Sequence, residues 1–389
     1  MAEIAVNILA VNVGSSSLRL DWWNFPAAQP TMTLQADGIG GGDGAVSADE
    51  GPPERALLPD HAAALRALLA RLPDVSGLDY IGHRLVHGGG TYRDAVRIDA
   101  KVLSDLDALV PLSPLHLPPA IQIIRQLIVL LPRVPQAAVF DTAFHATLPA
   151  RAYEYAVARG WREWGVRRYG FHGLACADVV WQLAGHLKER AVLLHLGAGC
   201  SATAVLRGRS LDTTMGFTPL EGLVMATRGG DIDPGVLLFL QREHGCSPTE
   251  IDRALNYESG LLGLSGFSAD MKTLLEHGDS PPAALAVEVF CYRAAKAVGA
   301  LSIALGGCDQ VVFSGGIGEH AAPVRAQIVG RLGTLGARLD EQANLAHLPV
   351  VSTPDSAVAI HVVRVDEGRQ IARDTARLAG MDPRGGDGS

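Results

Sequence analysis

Apolar and polar residues alternate at the start of the chain in a pattern typical of β-strands. The runs NILAVNVG and SSSLRLDWW, within residues 4–23, flank a tight turn of glycine and serine. The same succession of apolar strand, glycine turn with serine and apolar strand returns at residues 191–206, as AVLLHL, GAGCS and SATAVL. The pattern therefore predicts two similar hairpins, one near the start of the chain and one near its middle.

A second pair of segments adds to this repetition. AAVFDTAFH (137–145) and QVVFSGGIGEH (310–320) each run from a short apolar strand into a loop of small residues. Because similar units recur at a similar offset, we predict an internal duplication into two α/β domains. Between these segments, helices are predicted at residues 60–72 and 283–305, and a surface loop or turn at residues 36–54.

Glycines, hydroxyl groups and acids dominate the stretch from His195 to Gly235. Ordering many glycines costs conformational entropy, so we expect this stretch to bind a ligand. The spacing Gly197-x-Gly199-x-x-Ala202 matches a dinucleotide-binding fingerprint, but that motif requires a helix directly after the glycines, and SATAVL predicts a strand. We therefore predict a hairpin turn whose backbone N–H groups hold phosphate.

Length and composition indicate the class of protein. A chain of 389 residues is long enough for two domains, and 48% hydrophobic with 19% charged residues is typical of a globular enzyme. The formal net charge of −8 argues against nucleic acid or an anionic membrane as a partner. The apolar run at 121–131 is too short to span a bilayer, the N-terminus lacks a basic signal-peptide region, and the five cysteines form no CxxC pair. We therefore expect a soluble cytoplasmic protein with reduced thiols.

Several charged residues lie near the glycine turns and the ends of the predicted strands. The basic ones are Arg19, Arg84, Arg228 and Lys272, and the acids are Asp141 and Glu367. Such a set suits Mg²⁺-nucleotide phosphoryl transfer, in which positioning and charge neutralisation carry most of the catalysis. The sequence lacks GxxxxGK[ST], HRD, DFG and GxSxG, which argues against P-loop enzymes, protein kinases and α/β-hydrolases.

Some of these residues also have purely structural explanations. Arg84 could be an edge-strand arginine in solvent, and the first glycine turn could be an ordinary polar hairpin. Arg228 lies close to Asp231 and Asp233 in the sequence and could form only a surface ion pair. His172, between glycines in YGFHG, could be a satisfied structural histidine.

Eight segments resemble the successive signatures of the acetate kinase family. They are NVGSSSLRL, GHRLVHGG, VFDTAFH, RRYGFHG, HLGAGCS, MGFTPLEGLVMATRGGDIDPG, GIGEH and DEGRQIARDT. These segments stand in the family's order and cover nearly the whole chain, and MGFTPLEGLVM alone is highly specific. The family belongs to the superfamily of acetate and sugar kinases, Hsp70 and actin.

The resemblance implies an α/β fold with two duplicated RNase H-like (actin-like ATPase) domains and an interdomain cleft. We assign residues 1–147 and 368–389 to the first domain, to which the C-terminal helix returns, and residues 148–367 to the second, nucleotide-binding domain. The implied reaction is reversible transfer of a phosphoryl group from ATP to the carboxylate of acetate, with propionate also accepted. Mg²⁺ is the implied cofactor, Mn²⁺ can replace it, and a homodimer is the usual assembly.

The resemblance also implies a role for each matching residue. Arg84 binds the substrate carboxylate or acyl phosphate, Asp141 is the family's essential acid, and His172 and Arg228 stabilise the transferring phosphoryl group. Because a carboxylate substrate is already ionised at pH 7, we expect Asp141 to orient Arg84 or metal-bound water rather than to accept a proton. The small acyl pocket is shaped by Val86, Leu115 and Pro219, and Mg²⁺ is held by Asn12 and Glu367. ATP is contacted by Arg19, His195, Leu196, Gly197, Ala198, Gly199, Asp270, Met271, Lys272, Gly316, Ile317, Gly318, Glu319 and His320.

This sequence departs from the family pattern mainly on the nucleotide side. Arginine at 19 replaces a lysine, alanine at 198 and histidine at 320 replace asparagines, and lysine at 272 replaces an arginine. Leu117 and Ala120 replace two further asparagines. We therefore expect a weakened or altered nucleotide preference. Two alternatives stay open at this point: a kinase that prefers propionate or butyrate, and a catalytically weakened relative that binds nucleotide.

Overall fold

The computed structural model describes residues 5–49, 51–72 and 74–381. The chain divides into two compact units, of which unit 1 comprises Met1–Phe144 and Asp366–Ser389, and unit 2 comprises His145–Val365. The boundaries between the units thus lie after residues 144 and 365, whereas the sequence predicts them after residues 147 and 367. Glu367 accordingly belongs to unit 1.

The sheet of unit 1 has eight strands, which are β1 (Val6–Val13), β2 (Ser17–Phe25), β3 (Met32–Asp37), β4 (Ala45–Ala48), β5 (Glu54–Arg55), β6 (Tyr80–Leu85), β7 (Val96–Arg97) and β8 (Gln136–Phe140). Their order across the sheet is β5-β4-β3-β2-β1-β6-β8-β7. The strands β1, β6 and β8 run parallel, whereas β1 to β5 form an antiparallel meander. The predicted loop at residues 36–54 therefore contains the short strand β4 and ends at β5.

Three helices of unit 1 lie between these strands in the sequence. They are α1 (His61–Leu69), α2 (Ala100–Leu109) and α3 (Leu117–Leu130). Helix α1, predicted over 60–72, begins where the Asp60 side chain accepts a hydrogen bond from the backbone N–H of Ala63 at 2.7 Å. Leu65 of α1 and Ile124 of α3 are fully buried in one apolar core with Ile81 of β6. Burial of these apolar stripes, rather than helix propensity, holds the helices on the sheet.

The sheet of unit 2 has five strands, in the order β11-β10-β9-β12-β13. They are β9 (Arg190–Leu196), β10 (Cys200–Leu206), β11 (Arg209–Thr213), β12 (Gln310–Ser314) and β13 (Ala359–Val362). The antiparallel pairing of β9 with β10 confirms the predicted hairpin and the absence of a helix after Gly199. Its turn brings Gly197 and Gly199 together through a backbone hydrogen bond of 3.1 Å.

The helices of unit 2 are α4 (Ala150–Tyr153), α5 (Arg159–Glu163), α6 (Gly173–Gln182), α7 (Pro234–His244), α8 (Pro248–Arg253), α9 (Gly260–Ser265), α10 (Met271–Glu276), α11 (Pro281–Leu305), α12 (Gly315–His320), α13 (Ala322–Val329) and α14 (Glu341–Leu345). The long helix α11, predicted over 283–305, has proline at its first position and ends at Gly306, whose φ of 71° few side chains tolerate. Val298 and Leu301 are among its buried residues. Short 3₁₀ or π turns occupy Val110–Leu112, Ala143–Thr147, Ala254–Glu258 and Gly333–Leu335.

The chain returns to unit 1 as α15 (Glu367–Leu378), which packs closely against β6. A side chain at Gly82 of β6 would place its Cβ 2.2 Å from Thr375 Oγ1 and 2.8 Å from Ile371 Cγ2. The approach of helix to sheet therefore requires glycine at this position. Among the described residues, no helix is long and apolar enough to cross a membrane.

The two sheets repeat one topology. In each, the first strand of an antiparallel meander, β1 or β9, also pairs with a parallel strand, β6 or β12, and a further parallel strand follows, β8 or β13. This repetition agrees with the predicted duplication, but the second matched pair of segments was wrong. The strand β12 occupies the position of β6, whereas β8 lies one strand further from β1. A strand followed by small residues recurs at several sheet positions, so local similarity could not report strand order.

Candidate active site

The parallel strands of unit 1 bring three polar side chains to one edge of the sheet. Asn12 lies near the carboxyl end of β1, Arg84 near that of β6, and Asp141 directly after β8. Because the carboxyl ends of parallel strands meet at one edge, residues far apart in sequence become neighbours. Glu367, the first residue of α15, joins them there through the side chain of Asn12.

Arg84 is the centre of this group. Its Nε and Nη2 donate to Asp141 Oδ2 at 3.0 and 2.7 Å, and its Nη1 donates to Asn12 Oδ1 at 3.0 Å. Asn12 Nδ2 in turn donates to Glu367 Oε2 at 2.8 Å, an atom that lies 3.7 Å from Arg84 Nε. Three strands and a helix thus hold one planar guanidinium in a fixed orientation.

The surroundings of Arg84 exclude the edge-strand explanation. Strand β6 is interior, between β1 and β8, and the Arg84 side chain is only 17% exposed. Burial alone lowers the pKa of Arg84, but the charges of Asp141 and Glu367 and the Asp141 hydrogen bond raise it above its ordinary value. The guanidinium is therefore a permanent cation, and its two hydrogen bonds to Asp141 hold it in one orientation.

Arg19 has a neighbour that the sequence analysis missed. Its Nε donates to both carboxylate oxygens of Asp21, at 3.0 and 2.9 Å, and Asp21 also accepts from the Thr33 hydroxyl at 2.7 Å. Burial raises the pKa of Asp21, and Arg19 opposes that rise. The two residues are two positions apart in β2, so the alternation of a strand places them on one face, which was a usable sequence signal. The cross-strand partner of Arg19 is Asn12, which keeps this ion pair close to the Arg84 group.

Two of the three predicted acyl-pocket residues lie in unit 1. Val86 is buried directly after β6, and Leu115, in the connection to α3, is 38% exposed. The turn after Val86 is tied to the residue beside Asp141, because the backbone N–H of Gly88 donates to Thr142 Oγ1 at 3.0 Å. The third pocket residue, Pro219, lies in unit 2.

Unit 2 gathers His172 and Arg228 over the predicted phosphate turn. A Cβ at Gly199 would lie 3.0 Å from His172 Nε2 and 3.0 Å from Arg228 Nη2. Residues that are far apart in sequence therefore converge on a turn that has no room for a side chain. The arrangement offers a guanidinium, an imidazole and backbone N–H groups at one place, which suits an anionic ligand.

The two histidines of this site are held by serines. His172 has the left-handed φ of 58°, and its Nδ1 lies 3.0 Å from Ser201 Oγ. His195 Nδ1 lies 3.3 Å from Ser314 Oγ, and the two imidazole rings are 4.7 Å apart. A left-handed backbone at a residue other than glycine is common at functional sites and favours a functional role for His172, whereas the Ser201 hydrogen bond fits either explanation.

Arg228 is not a member of a surface ion pair. Its Nη1 donates to the Pro219 carbonyl at 2.9 Å, while Asp231 accepts from the Gly222 N–H and Asp233 caps α7. It forms no salt bridge with any residue that the structure describes. Burial lowers the pKa of Arg228. A half-buried guanidinium without an acid partner is well placed to receive an anion.

The remaining predicted nucleotide contacts lie on two short segments of unit 2. Asp270 caps α10 by accepting from Thr273, Met271 is buried, and Lys272 is 83% exposed and 4.0 Å from Glu276. Met271 and Leu196 are buried, so neither side chain is exposed to a ligand.

The second segment is α12, which contains Gly316, Ile317 and Gly318. Glu319 Oε1 accepts from the Gly315 N–H at 3.0 Å, and His320 is 78% exposed. Arg325, also missed by the sequence analysis, is fully buried and donates to the carbonyls of Gly318 and Glu319 at 2.9 Å. A charge within the apolar run APVRAQIV was the signal for it.

Asn12 and Glu367 fit a magnesium site in which water and phosphate oxygens supply most of the ligands. Mg²⁺ in nucleotide enzymes is usually held by one or two carboxylates together with phosphates and water. Glu367 supplies one carboxylate, half-buried and in direct contact with the Asn12 amide. The amide oxygen of Asn12 already accepts from Arg84, so Asn12 is placed to orient Glu367.

Comparison with known proteins gives a consistent result. The model of the acetokinase family matches residues 7–373. An acetate kinase of Pseudomonas aeruginosa is 43% identical over 96% of this chain and 98% of its own length, and one of Micrococcus luteus is 43% identical over 95% and 99%. The crystal structure of Porphyromonas gingivalis acetate kinase superposes with a TM-score of 0.89 at 33% identity, and that of a propionate kinase from Francisella tularensis with 0.90 at 37%. Each superposition covers 96% of this chain and 100% of the other.

These likenesses span nearly the whole chain, and they confirm the predicted α/β fold class with two sheets, consistent with duplicated actin-like ATPase domains. The chain belongs to the acetokinase family.

Proposed function

We propose that this protein is an acetate kinase, which transfers a phosphoryl group reversibly from ATP to the carboxylate of acetate and forms acetyl phosphate and ADP. The observation that carries the proposal is the planar, fork-shaped guanidinium of Arg84, which Asp141 and Asn12 hold in place. The relatives of this chain are named acetate kinases. A guanidinium fork matches the two oxygens of a carboxylate or of an acyl phosphate. Membership of the family favours an active kinase over the catalytically weakened alternative.

In this proposal the chemistry needs no general base in the acetate direction. The acetate carboxylate is ionised at neutral pH and is itself the nucleophile. Arg84 binds and orients it, and Asp141 fixes the plane of the guanidinium through two hydrogen bonds to one carboxylate oxygen. Glu367, oriented by Asn12, would hold Mg²⁺, which would neutralise charge on the nucleotide phosphates.

The residues of unit 2 are assigned to the phosphoryl donor. The backbone N–H groups of Ala198 and Gly199 hold phosphate oxygens, and Arg228 and His172 stabilise the charge that develops on the transferring group. Both side chains converge on Gly199, so they act on one anionic group rather than on two separate ones. Residues 270–272 and 316–320 are assigned to the rest of the nucleotide.

Acetate is the proposed first substrate, and propionate is proposed as a second. A difference of one methylene is worth only about 1–3 kcal/mol in a hydrophobic pocket, so strict discrimination is not expected. A propionate kinase among the similar structures supports this breadth. Preference for propionate or butyrate remains the second candidate, because Val86, Leu115 and Pro219 do not rank the acids.

A homodimer and a cytoplasmic location complete the proposal. Helix α7 has no buried residue, and Val236, Leu238 and Phe239 on it are 38–55% exposed, as is Ile232 just before it. A contiguous apolar face of this kind commonly marks a protein–protein interface, and a second copy of the chain is its proposed partner. Use of ATP and five free cysteines are consistent with the cytoplasm.

The experiment is a hydroxamate assay with Mg-ATP and, in turn, acetate, propionate and butyrate. We expect trapped acyl phosphate with acetate and propionate, and at least a 100-fold lower rate for Arg84→Gln, by analogy with loss of an electrostatic stabiliser. Arg66→Gln, at an exposed arginine of α1, is the matched control and should keep full activity. Absence of product with every acid, from folded protein that binds nucleotide, would contradict the proposal.

A further inference from the structure

The segment 214–222 of unit 2 has no helix or strand and carries the carbonyl of Pro219 that accepts from Arg228. A cavity of about 300 Å³ borders this loop and is lined in part by Thr214, Glu221 and Gly222. Packing is therefore incomplete on that side of the loop. The position of the Pro219 carbonyl depends on polar contacts instead.

Glu221 is the centre of these contacts. Its carboxylate accepts from the Tyr155 hydroxyl and, at 2.5 Å, from Arg168 Nη2. The side chains of Arg168 and Glu221 are 16% and 30% exposed. Burial, together with the Glu221 hydrogen bond, raises the pKa of Tyr155, so its hydroxyl stays protonated and donates. We call Tyr155, Arg168 and Glu221 the Glu221 cluster.

The same side chains also bind the backbone of the loop. The Tyr155 hydroxyl accepts from the Phe217 N–H at 2.9 Å, and Arg168 Nη1 donates to the Thr214 carbonyl at 2.8 Å. Gly216 lies so close that a Cβ would be 2.1 Å from the Tyr155 hydroxyl. The loop is thus hydrogen-bonded at two of its residues, Thr214 and Phe217, to side chains that Glu221 orients.

The cluster is also connected to His172. Arg168 begins the segment RYGFH that ends at His172, and the neighbouring Tyr169 donates its N–H to the Gly216 carbonyl at 3.0 Å. Glu221 therefore connects two parts of unit 2: the loop that orients Arg228, and the segment that carries His172. Both of these residues converge on Gly199.

We propose that Glu221 is a positioning residue for phosphoryl transfer, which fixes the Pro219 carbonyl and through it the guanidinium of Arg228. The inference rests on the proposed function and assigns Glu221 no contact with the substrate. A displacement of about 1 Å at a reacting centre can cost 100-fold in rate. Loss of the Glu221 charge should therefore lower kcat by about 10- to 100-fold, and change the KM for ATP by less than about twofold, because the 197–199 turn is untouched.

The test is a double-mutant cycle with Glu221→Gln and Arg228→Lys, measured as acetyl phosphate formation. If Glu221 acts through Arg228, Glu221→Gln lowers kcat 10- to 100-fold in the wild-type background but by less than about threefold beside Arg228→Lys. Tyr155→Phe keeps the Glu221–Arg168 pair and should give a smaller loss in the same direction. Glu189→Gln, which removes an exposed ion pair with Arg207, is the matched control and should leave kcat unchanged.

The outcomes distinguish failure of this inference from failure of the proposed function. An active wild-type protein with an unaffected Glu221→Gln variant overturns the inference alone. An equal loss in both backgrounds also overturns it, because Glu221 would then act independently of Arg228. If Glu221→Gln does not fold, as judged by its melting temperature, the cycle of Tyr155→Phe with Arg228→Lys decides. A loss of kcat that disappears beside Arg228→Lys supports the inference, and no loss or an equal loss in both backgrounds overturns it. A folded wild-type protein that forms no acyl phosphate refutes the proposed function, and the inference fails with it.

Discussion

Replacing Arg84 by lysine separates the charge of this residue from its shape. Lysine keeps the positive charge, but its ammonium group is compact and cannot span two acceptors as the planar fork does. Arg84 donates two hydrogen bonds to Asp141 and one to Asn12. We expect lysine to keep one of these contacts and to lose the fixed orientation toward the substrate carboxylate.

The magnitude follows from the lost contacts. A hydrogen bond from a charged donor is worth about 1.5–3 kcal/mol, so two lost bonds correspond to at least about 3 kcal/mol. If that free energy is fully expressed in the transition state, kcat/KM for acetate falls by roughly 100-fold or more. The loss should appear mainly in the acetate parameters, because the residues assigned to ATP lie on other segments.

The assay is hydroxamate trapping over a series of acetate concentrations, with the melting temperature of each variant measured in parallel. Arg66→Lys is the matched control, since Arg66 is exposed on α1 and forms no salt bridge with a described residue. Asp141→Asn combined with Arg84→Lys should be little worse than either alone, because both remove one interaction. A folded Arg84→Lys protein with kcat/KM within threefold of wild type would refute the reasoning, because charge alone would then suffice.

Three further predictions concern other parts of the molecule. Gly199→Ala should lower kcat at least 10-fold with little change in melting temperature, because its Cβ would lie 3.0 Å from His172 Nε2 and from Arg228 Nη2. A fully active variant would mean that these two side chains do not converge on the ligand. Burial lowers the pKa of His83 to about 4 from the ordinary 6.5, so the unfolded chain takes up a proton first as the pH falls. The free energy of unfolding should then drop between pH 6.5 and 4, and His83 should account for about 2 kcal/mol of the drop at pH 5. Urea unfolding of the His83→Gln variant should therefore show a weaker pH dependence than that of the wild type. An equal pH dependence in both proteins would assign the drop to other groups. Ala198→Asn, which restores a side-chain donor in the phosphate turn, should lower the KM for ATP several-fold; a wild-type KM and nucleotide selectivity already typical of the family would contradict the expected weakness on the nucleotide side.

The sequence alone predicted two hairpins, two of the helices and the candidate residues. Alternation of apolar residues predicted the hairpin of β9 and β10, and the strand after Gly199 excluded a dinucleotide-binding turn. These signals are local, because side-chain periodicity and turn chemistry depend on neighbouring residues. The resemblance of eight segments to one family then assigned roles that no single segment could establish.

The tertiary structure decided which residues meet. Asn12, Arg84 and Glu367 are separated by 72 residues or more, and only the parallel pairing of β1 with β6 and the return of α15 to unit 1 bring them together. The structure also showed that β12 occupies the position of β6 in its sheet, whereas local similarity had matched β12 to β8. Sheet order and helix docking depend on long-range burial and strand pairing, which a pattern read over ten residues does not contain. For the same reason Glu221 was seen only within a motif, and its partners Tyr155 and Arg168 emerged from the fold.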